Sequence, residues 1–569
     1  MSKLKNKNIA LCCLITILLC FYCIGSYANN VTVSNVSIAS QDTTNNTTTL
    51  QFDISWENSW RDEENYDAVW IFIKYSSDGG STWNHATLKT DGTNPSGFSQ
   101  GTETGLDIIV PSDKKGAFLK RSLTGEGNVD TDNIEFVWDY STDIGIDDVA
   151  DKAAALASAR VMAIEMIYIP QGSFFMRGVP SYSWWGLFMD INQSYDGTWM
   201  CYISPTGFLL SLYGSDHDDS YISYNLGVWF DGDLGISIDQ PTESNMNTNF
   251  PTGYNAYYYM KYEASQAQYR DFLNTLTSAQ VSTRYIGAAK ISTGRYCIKE
   301  DNSLYGCDMD NDDIFDETTD GEWTANTVTS CNDFSAYTDW SALRPVTETE
   351  WVKACRGVDV DPRDLGILYE KAWASSSYTV ASGLTNAGEE NEVASNSDAN
   401  VAFNRQGGVH GPVRCGAFAT SSSNRLESGA GYYGNMELTG NLKEPTVSLG
   451  TVKGRSFEGS HGDGELESDG EASFGDLGWP GGTGDDYKWP NVGSDISVRG
   501  ITQRGGSWGS TTSEYYGSYA IWIECRLDES GPSGNGSCGG GYYDRGMNFS
   551  SGGTWWVYST GIRGGRTAE

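Results

Sequence analysis

Apolar and polar residues alternate strictly through Leu50-Gln51-Phe52-Asp53-Ile54-Ser55-Trp56, the two-residue period of a half-buried strand. Ala68 to Tyr75 is a denser apolar run, fit for a central strand. Asp78-Gly79-Gly80 then turns the chain before Ser81-Thr82-Trp83, an Asp-Gly signal that favours the φ > 0 turns closing hairpins. Leu106–Val110 and Ile134–Trp138 supply further strands. Residues 29–140 thus predict an all-β immunoglobulin-like sandwich in which nothing looks catalytic, a spacer or adhesion module. Residues 141–160 shift to acid and alanine, with Asp147, Asp148, Asp151 and then Ala153 to Ala159, which predicts a linker or a short helix. A second and larger domain, 161–569, starts near Val161. Ser265 with Gln268 and Thr347 with Glu350 fit the capping box, where a hydroxyl satisfies an orphan helix N–H and the third residue reaches back. Tyr269, Phe272 and Leu273 fall on one face of the first predicted helix, and Trp351, Ala354 and Cys355 on one face of the second, as core-packing residues do. The rest of this domain reads as strands and long Gly/Ser/Asp loops.

The first residues change the compartment. Lys3, Lys5 and Lys7 precede an apolar run from Ile9 to Ile24, and Ser26-Tyr27-Ala28 offers small residues for cleavage. Residues 1–28 read as a secretory signal peptide, the run being short for a spanning helix. The expected location is extracellular or on the cell surface, with no membrane span after cleavage. Four of the 12 cysteines lie in that leader, and the rest are Cys201, Cys297, Cys307, Cys331, Cys355, Cys415, Cys525 and Cys538. An even set in an exported chain suggests disulfides. Their pairing stays open, with the close trio Cys297, Cys307 and Cys331 the readiest place for one. The formal charge of −37 becomes −40 once Lys3, Lys5 and Lys7 leave with the signal. That field repels phosphate backbones and argues against a nucleic-acid partner, though solubility alone would also account for it. High glycine, 66 residues, and 13% aromatics suit a turn-rich, aromatic-cored fold.

Six motifs then follow in order. Met166-Ile167-Tyr168-Ile169-Pro170-Gln171-Gly172-Ser173-Phe174 resembles the opening strand of the formylglycine-generating-enzyme (sulfatase-modifying-factor) family. Tyr259 to Tyr269 and Leu343 to Trp351 resemble its two helix entries, and Gly440-Asn441-Leu442-Lys443-Glu444 its Gly-Asn-Val-Trp-Glu segment. Arg504-Gly505-Gly506-Ser507-Trp508 resembles its Arg-Gly-Gly-Ser turn, and Gly561-Ile562-Arg563 its Gly-Phe-Arg ending. The resemblance implies an α+β, C-type-lectin-like fold with little regular secondary structure, its first and last strands side by side near Ile167 and Ile562.

It also implies chemistry that this chain has lost. The family's enzymes oxidise a sulfatase cysteine to formylglycine with two cysteines that hold copper(I) as thiolates, a soft pairing. In register, those positions are Ser510 and Tyr515. A branch with histidine-ligated iron is no better matched, because His85, His217, His410 and His461 are widely spaced. Neither copper nor iron is expected. The family's structural calcium implies Asn441 and Glu444 as ligands, although Lys443 replaces the usual Trp. Independently, Asp308, Asp310 and Asp312 alternate as hard oxygen ligands in calcium loops do. The match to an EF-hand is partial, with Asp313 and Thr319 where Gly and Glu belong, and a solvated acidic loop is the competing reading.

The window 508–559 is the most unusual stretch. Trp508, Tyr515, Tyr516, Tyr519, Trp522, Tyr542, Tyr543, Trp555 and Trp556 stand among Ser, Gly, Thr, Asp and Asn with no clean period. Antibody loops use this mixture, rigid aromatic area beside adaptable polar groups. Lying between two kept motifs, the window resembles the variable region of proteins diversified by retroelements. These nine aromatics are the candidate ligand contacts, the ligand being a protein or glycan at a cell surface. Two other readings stay open: a formylglycine-generating oxidase, and a structural cell-envelope protein.

Overall fold

The computed structural model describes residues 31–143, 145–146, 149–177, 198–204, 207–213, 248–287, 295–315, 320–328, 331–358, 370–403, 408–420, 422–447, 454, 456–473, 501–509, 527–528, 537–538 and 559–569. The signal-peptide reading of residues 1–28 lies outside them. Among the described residues the architecture is mixed, a large antiparallel sheet with a few short helices.

The alternating stretch is strand Thr47–Arg61, with Leu50, Phe52, Ile54 and Trp56 buried and Gln51, Asp53 and Ser55 half-buried. It pairs along its length with Gly125–Asp139, from Thr47↔Asp139 to Arg61↔Gly125, and carries Thr32–Asp42 on its other edge. The sheet turns a corner at Arg61↔Tyr66. Beyond it runs Tyr66–Tyr75, the denser apolar segment, flanked on one side by Ala117–Arg121 and then Leu106–Val110. Side chains point alternately to the two faces of a strand, and both faces of this one are covered. Val69, Ile71, Ile73 and Tyr75 join Leu50, Phe52, Phe136 and Trp138 in the core between the layers. Ala68, Trp70 and Phe72 point the other way, into a core shared with Ile164, Met166, Phe272, Phe334 and Trp340.

That second core corrects the expected division at 141–160. The segment contains a helix, Val149–Ser158, whose Ala155 packs in the first of these cores and whose Ser158 Oγ accepts from Ser76 N at 2.9 Å. The chain then enters strand Arg160–Ile169, which pairs with Tyr66–Tyr75 from Arg160↔Lys74 to Tyr168↔Tyr66. The strand expected to open a separate domain therefore continues the first region's sheet, and the β-rich first region is joined to the larger one through that sheet. Tyr257–Met260 adds to Arg160–Ile169, and Gly565–Thr567 adds to Tyr257–Met260. The first and last strands of the larger region thus lie one strand apart, with Tyr257–Met260 between them, instead of side by side.

Both capping boxes form. Ser265 accepts from Gln268 N and Thr347 from Glu350 N, each with the reciprocal side-chain bond, at the starts of helices Gln266–Leu273 and Glu348–Arg356. A cap of this kind contributes about 1 kcal/mol. Tyr269, Phe272 and Leu273, and Trp351, Ala354 and Cys355, are all buried as their spacing predicts.

Candidate ligand-presenting site

The unusual window is held at both ends by one short segment. Gly440 N donates to Gly505 O and Trp508 N to Asn441 O, both at 2.8 Å. From the other end, Lys443 N donates to Ser559 O and Gly561 N to Lys443 O, again at 2.8 Å. Gln503 Nε2 also donates to Thr560 Oγ1 at 2.9 Å. The 440–444 segment thus sits between the two anchors, one strand spacing from each, which sets the anchors at Trp508 and Ser559 roughly 10 Å apart. The paired glycines make the first anchor close. Gly505 and Gly506 have φ of 86° and 71°, and a Cβ on Gly505 would stand 2.7 Å from Leu438 O. Only glycine adopts that backbone there without strain.

Inside the window, Leu527–Asp528 and Ser537–Cys538 extend the sheet of Glu444–Val447 and Ile501–Arg504, through Gln503↔Leu527 and Leu527↔Cys538. Trp508 is a correction. It is 1% exposed and packs with Tyr262, Cys415 and Leu442, so it is an anchor rather than a ligand contact. It stands two residues after the Gly505-Gly506 turn, with its N–H bonded to Asn441 O. Tyr515, Tyr516, Tyr519, Trp522, Tyr542, Tyr543, Trp555 and Trp556 lie outside the described residues, as does Ser510.

Asn441 and Glu444 are the second correction. Both are fully buried, and their donor atoms are committed to the protein. Asn441 Oδ1 accepts from Val413 N at 2.9 Å, and its amide donates to Glu263. Glu444 accepts from Arg563 Nε at 2.6 Å and from Trp351 Nε1 at 2.5 Å. A calcium ion would have to displace a buried guanidinium, so these two residues do not fit the ligand role. They close a network that binds the motifs to one another. Arg563 also donates to Lys261 O at 2.9 Å and Met436 O at 2.7 Å, and Glu263 Oε1 accepts from Leu442 N at 3.0 Å. Glu263 and Glu437 were not singled out in the sequence. The one signal available was an acid standing directly beside apolar residues, which is too common to use.

Burial, opposed by Arg563, raises the Glu437 carboxyl to about 7, while its Oε1 accepts from Gly416 N at 2.9 Å. Asp67 is likewise raised to about 6, chiefly by burial, against Lys261. In the unfolded chain such carboxyls titrate near 4. The folded state therefore holds protons that the unfolded state has lost. Stability falls as pH rises through that window and levels off above the folded value. Comparing urea midpoints at pH 5 and pH 8, Glu437→Gln will remove about 1–3 kcal/mol of this difference by raising stability at pH 8.

Asp308, Asp310 and Asp312 do converge, with ligand oxygens all within 4.8 Å of one another. Asp308 is buried and organises the loop, accepting from Asp312 N at 3.1 Å and Asp313 N at 3.2 Å. Lys299 is paired with Asp308 and lies 3.7 Å from Asp313. Hydrogen bonds and this lysine hold the Asp308 carboxyl below its ordinary value against the opposing effect of burial. The loop fits a hard cation in its carboxylates and opposes one through Lys299.

The thiols of Cys297, Cys355 and Cys415 are buried and pushed upward by that burial, unlike the depressed thiols of reactive centres. His85 Nε2 meets Lys115 O at 2.5 Å, whereas His461 Nε2 accepts from Thr567 N at 2.9 Å. No described helix is long and apolar enough to cross a membrane. No family model matches the chain, and no curated protein matches it.

Proposed function

We propose that this protein is an exported, surface-exposed ligand-binding protein. In this reading a C-type-lectin-like scaffold of the formylglycine-generating type presents residues 509–558 as a binding face, and a retroelement diversifies that face. The carrying observation is the double anchoring of the window on Gly440–Glu444, which ties both of its ends to one segment of the body. Loops borne on a rigid scaffold are where binding residues concentrate, and the Tyr/Trp/Ser/Gly mixture suits adaptable contact. A protein or glycan on a cell surface is the expected partner. The anchors refine the limits: Trp508 and Ser559 are buried and stay fixed, whereas the residues between them vary.

Sequencing the gene from many sibling cells tests this directly. Substitutions confined to codons 509–558 would support it, and a uniform window would remove diversification. Binding to a glycan or cell-surface array, lost when Tyr515, Tyr516, Tyr542 and Tyr543 are changed together to alanine, would support the contact role. Undiminished binding would remove it. Calcium at the Asp308 loop belongs to the same reading. Millimolar Ca2+ will raise the melting midpoint of the native chain and leave an Asp310→Ala, Asp312→Ala variant unmoved, whereas an equal response in both would exclude the loop.

A further inference from the structure

Cys297 and Cys307 bracket the hairpin of strands Ile298–Asp301 and Leu304–Cys307, whose register sets Ile298 opposite Cys307. One step along, Asp308 N donates to Cys297 O at 2.9 Å. The two cysteines are therefore diagonal neighbours on adjacent segments, with Cα atoms roughly 5–6 Å apart. Disulfides span that separation. Within a regular strand, alternation would send the two side chains to opposite faces. Cys297 lies just before the strand, however, and its N–H donates to Gln266 Oε1 at 2.7 Å instead of across the ladder. Both side chains enter the same core, with Phe272 and Tyr296, and neither is more than 1% exposed. Besides burial, each thiol meets the other within hydrogen-bonding reach. Cys355 and Cys415 pack in two other cores, so among the described thiols the geometry selects one pair.

We propose that Cys297 and Cys307 are joined by a disulfide in the mature protein, a bond that rests on export for its oxidant, a protein disulfide of the oxidising compartment. One cysteine thiolate attacks a sulfur of that disulfide and releases the oxidant's other sulfur as a thiolate. The second cysteine thiolate then displaces the oxidant from the mixed disulfide. The pair loses two protons and two electrons, and the oxidant departs as a dithiol. Burial sets the timing. A thiol held protonated inside the core is a poor nucleophile, so the bond forms before the hairpin packs and is shielded from reductant afterwards. It fixes the residue next to Cys307, which is Asp308, the hub of the acidic loop.

The test uses the full chain, unfolded in guanidinium, reduced and then refolded with glutathione disulfide. Alkylation in denaturant, digestion and mass mapping should yield a peptide pair joining Cys297 to Cys307, two hydrogens lighter than its parts. Dithiothreitol should open it in guanidinium and leave it intact in the native protein. Alkylation of both cysteines, or Cys307 joined instead to Cys331, would overturn the pairing. The same mapping on protein taken directly from cells separates the two claims. Thiols there, with the bond formed on refolding, would contradict export and leave the pairing standing.

Discussion

Replacing Trp70 with alanine will destabilise the whole protein by about 3–5 kcal/mol and will loosen segments more than 250 residues away in sequence. Trp70 is fully buried on strand Tyr66–Tyr75, on the face that packs against the larger region. Its Nε1 donates to Ser341 O at 2.9 Å, its ring lies 4.8 Å from that of Phe118, and the Arg566 guanidinium sits 4.4 Å above it. Three of the larger region's supports therefore lose a partner at once: the end of helix Cys331–Trp340, the last strand, and the core around Met166. Aromatic truncation in such a site costs transfer energy and leaves a cavity. Hydrogen exchange distinguishes the accounts. With the continuous sheet, protection falls in residues 331–343 and 563–568 as well as in 66–75. An independent spacer domain would lose protection only within residues 31–140.

Arg563→Ala will be at least as damaging, by about 3–5 kcal/mol, for an electrostatic reason. Arg563 is fully buried, and its departure strips Glu444 of its guanidinium and leaves the carbonyls of Lys261 and Met436 without that donor. Burial already raises the Glu263 and Glu437 carboxyls, with Arg563 the first force opposing it in each, so all three acids become costlier to keep charged. Lysine will not rescue, because one ammonium cannot reproduce a planar fork serving several acceptors. Pairing Arg563→Met with Glu444→Gln should recover part of the loss in urea titrations. A buried pair removed together leaves no orphan charge. Equal damage in the double variant would mean that packing, not charge, is the cause.

The parts legible in the sequence were those fixed by local physics. Alternation from Leu50 to Trp56 dictates one buried face, and the unbroken run from Ala68 to Tyr75 dictates two. Ser265 and Thr347 cap helices because hydroxyl and reciprocal side chain lie three residues apart. What the second face of Tyr66–Tyr75 packs against was not legible, since its partners are Met166, Phe272 and Trp340, far along the chain. For the same reason a domain boundary was expected where the sheet runs on. Asn441 and Glu444 are implied as calcium ligands by the resemblance of Gly440–Glu444 to the family's Gly-Asn-Val-Trp-Glu segment. Only the three-dimensional placement of Arg563 and Val413 reveals that those oxygens are taken. Trp508 misled similarly, as composition does not tell an anchor from a contact.

The central claim is that residues 509–558 are presented by a body that does not need them. The anchors on Gly440–Glu444 make it testable by excision, because a gap of roughly 10 Å is bridged by about four residues of Gly-Ser linker. The measurement is the thermal unfolding of that excised chain beside the intact one. A cooperative transition within a few degrees of the intact protein is the predicted result, with protection of the Glu444 and Arg563 segments retained. An excised chain that fails to fold, or melts broadly without a transition, would contradict the account and make the window part of the core.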